Sequence, residues 1–164
     1  MTTNEWTRIC GVDRSIVLAG HSQGAVLAVA AVLQMPAERR RGVYLLTFGT
    51  QLTRLYGRLF PAFFGLDARK RIAAVLSDGG PPRWRSLHRP TDQLGWEIGQ
   101  PDGVDLPVID PDGLVPRDGE VLDPPIRRHS DYPCSVEYQR ARFAAVARLR
   151  AEDARAGNGR VPAG

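Results

Sequence analysis

The chain has 164 residues, 43% of them hydrophobic, and carries a formal net charge of +4. This is the size of one ordinary domain with enough apolar material for a packed core. Lys70 is the only lysine, so the positive charge is almost all arginine, scattered rather than gathered into a basic stripe with interleaved aromatics. That argues against a nucleic-acid binder.

The short runs 39–41 and 69–71 lie near expected helix ends and read as solvated or helix-end charge. Cys10 and Cys134 lack metal-ligand spacing and are too few for a disulfide framework, so free thiols in a reducing compartment are expected. The opening "MTTNEWTRICGVDRS" lacks the apolar core of a signal peptide, and the longest apolar run, 25–33, is too short to span a bilayer. The chain alone reads as soluble and cytoplasmic.

In chain order, 16–20 (IVLAG) is short, apolar and β-branched at its start, and predicts a strand buried on both faces. Residues 24–35 predict a helix, apolar on nearly all sides and stopped by Pro36. A helix without a polar face needs cover on both sides. A second buried strand is expected at 43–48 (VYLLTF), ended by Gly49 and Thr50. The aromatic, apolar stretch 52–66 is broken by Gly57, Pro61 and Gly65. It reads equally as a core-facing helix or as a lid or acyl-binding wall, with membrane-surface contact as the lesser expectation.

A short helix follows at 67–77, a loop at 78–82 and a weaker third strand at 83–88 (RWRSLH). Residues 99–125 are rich in Pro, Gly and Asp, with a short edge strand expected within "VDLPVID". Within them "DPDGLVPRDGE" lacks the alternate acidic positions and terminal glutamate of a calcium loop and reads as turns. Residues 135–150 predict an amphipathic helix burying Val136, Phe143, Val146 and Leu149, and 151–164 a frayed polar tail after a domain spanning 1–150. Strands alternating with helices predict an α/β domain with a parallel sheet.

The chemistry concentrates in "IVLAGHSQGAVLAVAAVL", where Gly20-His21-Ser22-Gln23-Gly24 matches G-x-S-x-G between a strand and a helix. Turning from strand to helix within so few residues strains the serine and exposes its hydroxyl. Side chains two positions either side would collide, which accounts for Gly20 and Gly24. Small Ala25 and Ala28 let the helix approach the sheet. Its N-terminus aims free N–H groups at the serine oxygen, making the Gln23 N–H an oxyanion donor.

Three stretches, "IVLAGHSQGA", the strand ending "LLTFGT", and "RWRSLHRPTDQLG" with a histidine further on, carry a resemblance. From 16 to about 148 the chain resembles the C-terminal half of an α/β-hydrolase of the lipase/esterase kind. It is similar to class 3-type lipases and to hydrolase-like domains of actinobacterial proteins. The resemblance implies a partial α/β-hydrolase fold, a mainly parallel sheet with flanking helices, and a triad in the order Ser, acid, His.

Ser22 is the implied nucleophile. Of three histidines, His21 belongs to the elbow, with its side chain expected to point away from that of Ser22. His88 ends the third strand, and His129 lies just before the last helix, where the family's base sits. Asp92 in "RPTDQLG" resembles the family's acid, at a strand's C-terminal end. Asp78, Asp102, Asp105 and Asp110 compete with it, although aspartates in such loops are usually turn formers. Asp131 reads as a local loop partner. The implied reaction cleaves a small-molecule or lipid ester through an acyl-enzyme, without metal or organic cofactor.

The family places about four strands before the nucleophile, and here only 1–15 precede that strand. The N-terminal strands and the loop giving the second oxyanion donor are therefore expected to be missing. Losing one donor costs on the order of 100- to 1000-fold in turnover. The nucleophile strand would become an exposed apolar edge. A truncated gene, an impaired remnant serving as an interaction module, or one half of a two-chain assembly with a complementing N-terminal chain are the readings this leaves.

Overall fold

A computed structural model describes residues 15–77, 79–100, 103–110 and 128–158. Its sheet has four parallel strands, β1 (Ile16–His21), β2 (Val43–Phe48), β3 (Trp84–His88) and β4 (Asp105–Pro107), in that spatial order. Between them run α1 (Gln23–Gln34), the short α2 (Ala37–Arg40), a π-helical turn (Leu52–Tyr56), α3 (Gly57–Leu59), α4 (Pro61–Phe64) and α5 (Leu66–Val75). A 3₁₀ turn (Tyr132–Cys134) leads into α6 (Val136–Asn158). The fold class is α/β, with an all-parallel sheet flanked by helices.

β2 explains the layering. All six of its residues are buried, as the continuous apolar run predicts for an interior parallel strand. Alternation sends Val43 and Leu45 to one face, where Val26, Val29 and Val32 of α1 meet Ile72 of α5 and Trp84 of β3. Tyr44, Leu46 and Phe48 go to the other face, against Ala141, Ala145 and Leu149 of α6. The buried indole of Trp84 keeps its polar edge satisfied by donating Nε1–H to Thr47 Oγ1 at 3.0 Å.

β1 pairs with β2 from Ile16↔Val43 to His21↔Phe48. Among the described residues it is an edge strand, the exposed apolar edge expected without upstream neighbours and not a strand buried on both faces. Ile16 is 45% exposed and only Gly20 is buried along it. On α1 the inner side is covered, but Leu27 and Leu33 remain exposed, so cover on both sides is not found. β4 is the expected short edge strand, paired parallel to β3.

The aromatic stretch divides between its two readings. Leu52 is buried, and Tyr56 and Phe64 pack against the core, while Leu55, Leu59, Phe60 and Phe63 are exposed. Arg69 departs from the solvated reading of 69–71. It is buried and donates Nη1–H to the Phe64 carbonyl, serving the end of α4.

α6 buries a different stripe from the one expected. Val136 and Phe143 are exposed, and the stripe is Ala141, Ala145 and Leu149, four residues apart. Small alanines let the helix lie close to the sheet, which a stripe led by Phe143 would prevent. The helix also continues to Asn158, past the expected start of the tail. Arg148, paired within the helix with Glu152, ties it to the β3 approach by donating to the Pro81 carbonyl at 2.8 Å. Cys10, Asp78, Asp102, the calcium-loop look-alike after Asp110, and 159–164 lie outside the described residues.

Candidate active site

Every strand points its C-terminal end to one rim of the sheet, the end at which α/β folds place functional groups. Ser22 sits there after β1, Gly49 after β2 and Asp92 after β3.

Ser22 has φ 55° and ψ −121°, a conformation that costs a non-glycine residue about 1–3 kcal/mol. Its hydrogen bonds show what imposes it. The Ser22 N–H donates to the Phe48 carbonyl at 3.1 Å, still in the strand ladder, while its own carbonyl accepts from Ala25 N–H at 3.1 Å, already in the helix. Strand and helix meet at one residue, and the backbone must reverse there. The two elbow glycines differ. A Cβ at Gly20 would lie 2.5 Å from the Gly24 carbonyl oxygen, whereas one at Gly24 would meet nothing within 4 Å. The steric requirement therefore holds for Gly20 alone.

The Ser22 hydroxyl does not cap α1. Gln23 is the first residue of that helix, so its N–H has no acceptor one turn back and projects from the positive end of the helix dipole.

The structure brings Asp92 and His129 together. Nδ1 of His129 lies 2.9 Å from both carboxylate oxygens. A carboxylate only accepts, which places the proton on Nδ1 and leaves Nε2 as the basic atom. Asp92 is 2% exposed and fully provided with donors. The N–H groups of Leu94 and Gly95 each donate to Oδ1 at 2.9 Å, and Tyr132 O–H donates to Oδ2 at 2.8 Å. Burial alone would raise its pKa, but the hydrogen bonds from Gly95, His129, Leu94 and Tyr132 together outweigh it and hold the carboxyl below its ordinary range. The Tyr132 phenol is pushed well above its ordinary range, by burial and by the carboxylate it faces.

Two glycines make room for this packing. At Gly49, with φ 56°, a Cβ would come within 3.1–3.2 Å of the Tyr132 ring, Asp92 Oδ2 and His129 Cε1. At Gly95 it would lie 2.4 Å from Asp92 Oδ2.

His21 links β1 to His129. Its ring stacks on Phe48 at 5.2 Å and meets the His129 ring at 4.7 Å. Its Nε2–H donates to the His129 carbonyl at 2.9 Å. Burial lowers its pKa and outweighs the hydrogen bond to the His129 carbonyl, which raises it, so the neutral ring is favoured. Among the described residues no hydrogen bond joins Ser22 Oγ to His129; His21, the residue before Ser22, is the one whose ring meets that of His129.

The remaining candidates do other work. His88 stays half-buried on β3. Asp105 accepts from Ile98 and Gln100 N–H, a turn-forming role. Asp110 accepts from Thr91 and pairs with Arg89. Asp131 precedes the 3₁₀ turn at φ 60°. Cys134 is an exposed thiol, and no group of three or more His, Cys, Asp or Glu that could hold a metal is found among the described residues. Nor, among them, is any helix long and apolar enough to cross a membrane.

The parts played at the site by Tyr132, Arg89 and Gly95, the contacts of His21, and any use of Gly49 beyond ending its strand went unread in the sequence. The only local signals are a tyrosine three residues after His129 and an arginine three before Asp92. No protein-family model matches the chain, and comparisons with curated proteins and with solved structures find no match.

Proposed function

We propose that this chain is a serine hydrolase domain of the α/β-hydrolase, lipase/esterase-like kind that cleaves carboxylic esters. The observation that carries the reading is the buried Asp92 carboxylate held on His129 Nδ1 at the rim where Ser22 forms a strained elbow.

Ser22 Oγ attacks the ester carbonyl while His129 Nε2 takes its proton. Asp92 holds the imidazole in the required tautomer and stabilises the imidazolium that forms. The Gln23 N–H donates to the developing oxyanion. The C–O bond to the alcohol breaks as His129 returns the proton to it, leaving an acyl-serine. Water, deprotonated by His129, then releases the carboxylic acid. No cofactor takes part in these steps. The exposed Leu55, Leu59, Phe60 and Phe63 on the segment leaving the same rim support an apolar acyl group.

A stoichiometric burst of p-nitrophenol from p-nitrophenyl butyrate, absent in Ser22→Ala, is the expected result. A linear release that survives Ser22→Ala refutes it.

A second reading, an impaired hydrolase serving as an interaction module with a complementing chain, draws on the half-exposed edge of β1. Folded protein without a burst favours that reading.

A further inference from the structure

The loop that carries His129 is strained on both sides. Arg128 has φ 46° and Asp131 φ 60°, and neither is glycine. Such residues persist only where their surroundings over-determine them. Three consecutive carbonyls of this loop are in fact tied down by side chains from elsewhere. Arg89 Nη1 donates to the Arg128 carbonyl at 2.9 Å and to the Ser130 carbonyl at 2.7 Å, one on each side of His129. His21 holds the carbonyl of His129 itself.

The Arg89 side chain is 1% exposed. A buried cation is costly unless it is paired and hydrogen-bonded. Its Nε lies 3.0 Å from Asp110 Oδ1, close enough to balance the charge although not aligned as a hydrogen bond. Its guanidinium lies over the Tyr132 ring at 4.6 Å. That ring carries the hydroxyl that donates to Asp92 Oδ2. One planar guanidinium thus touches, through Nη1, the backbone on both sides of His129 and, through its face, the ring that braces Asp92.

We infer that Arg89, seated on Tyr132, is a positioning residue for the His129–Asp92 pair. It touches neither substrate nor the reacting atoms. Arg89 holds the base by its backbone, and Tyr132 fixes the carboxylate plane so that both oxygens face Nδ1. A lysine supplies charge and donors, but its one ammonium cannot meet both carbonyls, stand opposite Asp110 and lay a planar group over the Tyr132 ring at once. The inference rests on the ester-hydrolase reading for its kinetic consequence, not for its geometry.

The test uses the full chain with Arg89→Lys and Tyr132→Phe, the second keeping the ring and removing only the hydroxyl. Two quantities are read: the rate at which a fluorophosphonate labels Ser22 per folded molecule, and the NMR resonance of the hydrogen-bonded His129 Nδ1–H, assigned by its absence in His129→Ala. Both variants are expected to label on the order of 10- to 100-fold more slowly, the scale of a slightly misplaced catalytic group. The Nδ1–H signal is expected to broaden through faster exchange with water.

Folded variants with the wild-type rate and an unchanged Nδ1–H signal would overturn the inference. If Arg89→Lys does not fold, Tyr132→Phe decides. If the wild-type chain does not label, the hydrolase reading fails, and the Nδ1–H signal alone still decides the positioning role.

Discussion

Asp92→Asn is expected to slow acylation of Ser22 by roughly 10³- to 10⁴-fold, the scale seen when a triad carboxylate becomes an amide. The physical reason is the tautomer. Asparagine can present its NH₂ group to Nδ1, which then acts as acceptor and moves the ring proton to Nε2, the atom that takes the proton from Ser22 in the proposed mechanism. The substitution also removes a charge to which Leu94 N–H, Gly95 N–H and Tyr132 O–H all donate. Hydrogen bonds to a charged group contribute about 1.5–3 kcal/mol each, so the variant should also be clearly less stable at pH 7.

The stability loss has a definite pH dependence. The Asp92 carboxyl titrates lower in the folded chain than an ordinary carboxyl does. Its stabilisation is therefore fully present above the ordinary range near pH 4 and is lost as pH falls through the depressed folded value. Urea denaturation of wild type and Asp92→Asn should give a gap that is constant at neutral pH and closes only in acid. A gap that closes between pH 8 and 6 would assign the effect to another group.

Gly20→Ala is the second large effect. The added methyl would sit 2.5 Å from the Gly24 oxygen and 2.7 Å from the Ala25 nitrogen, both backbone atoms of the first helical turn. These cannot move aside without unwinding the elbow. A loss of about 3 kcal/mol is expected, at the upper end for overpacking. Gly24→Ala makes the informative contrast. Its methyl meets nothing, and alanine is the better helix former, so a gain of about 0.5–1 kcal/mol is expected. Equal losses at the two positions would mean that the elbow is packed differently.

That contrast shows where sequence reading succeeds and stops. A serine between two glycines, with an apolar run on either side, is enough to place an elbow, because strand and helix periodicity are local. Which glycine is squeezed depends on how the helix returns past the strand, and the motif treats the two alike. β2 was legible from its unbroken apolar run. β1 has the same kind of run yet lies at an edge among the described residues, an outcome expected from the missing neighbours and not from its own residues, which do not encode them.

The site follows the same division. Asp92 and His129 were reached through the order Ser, acid, His that the resemblance implies. Tyr132 was not, because its part depends on a phenol from the 3₁₀ turn crossing to a loop 40 residues earlier in sequence. Arg89 looked like one of many scattered arginines, and its bonds to the Arg128 and Ser130 carbonyls exist only once the fold brings those residues together. On α6 the helical period was read correctly, but the larger residues were assigned to the core where close approach to the sheet selects Ala141 and Ala145.

The most direct measurement is fluorophosphonate labelling of the folded chain, with the adduct located by peptide mass spectrometry. A nucleophile built as described carries the adduct on Ser22, and His129→Ala loses it while remaining folded. Folded protein that takes no adduct, or a His129→Ala variant that labels as fast as wild type, would contradict the central claim that His129 activates Ser22.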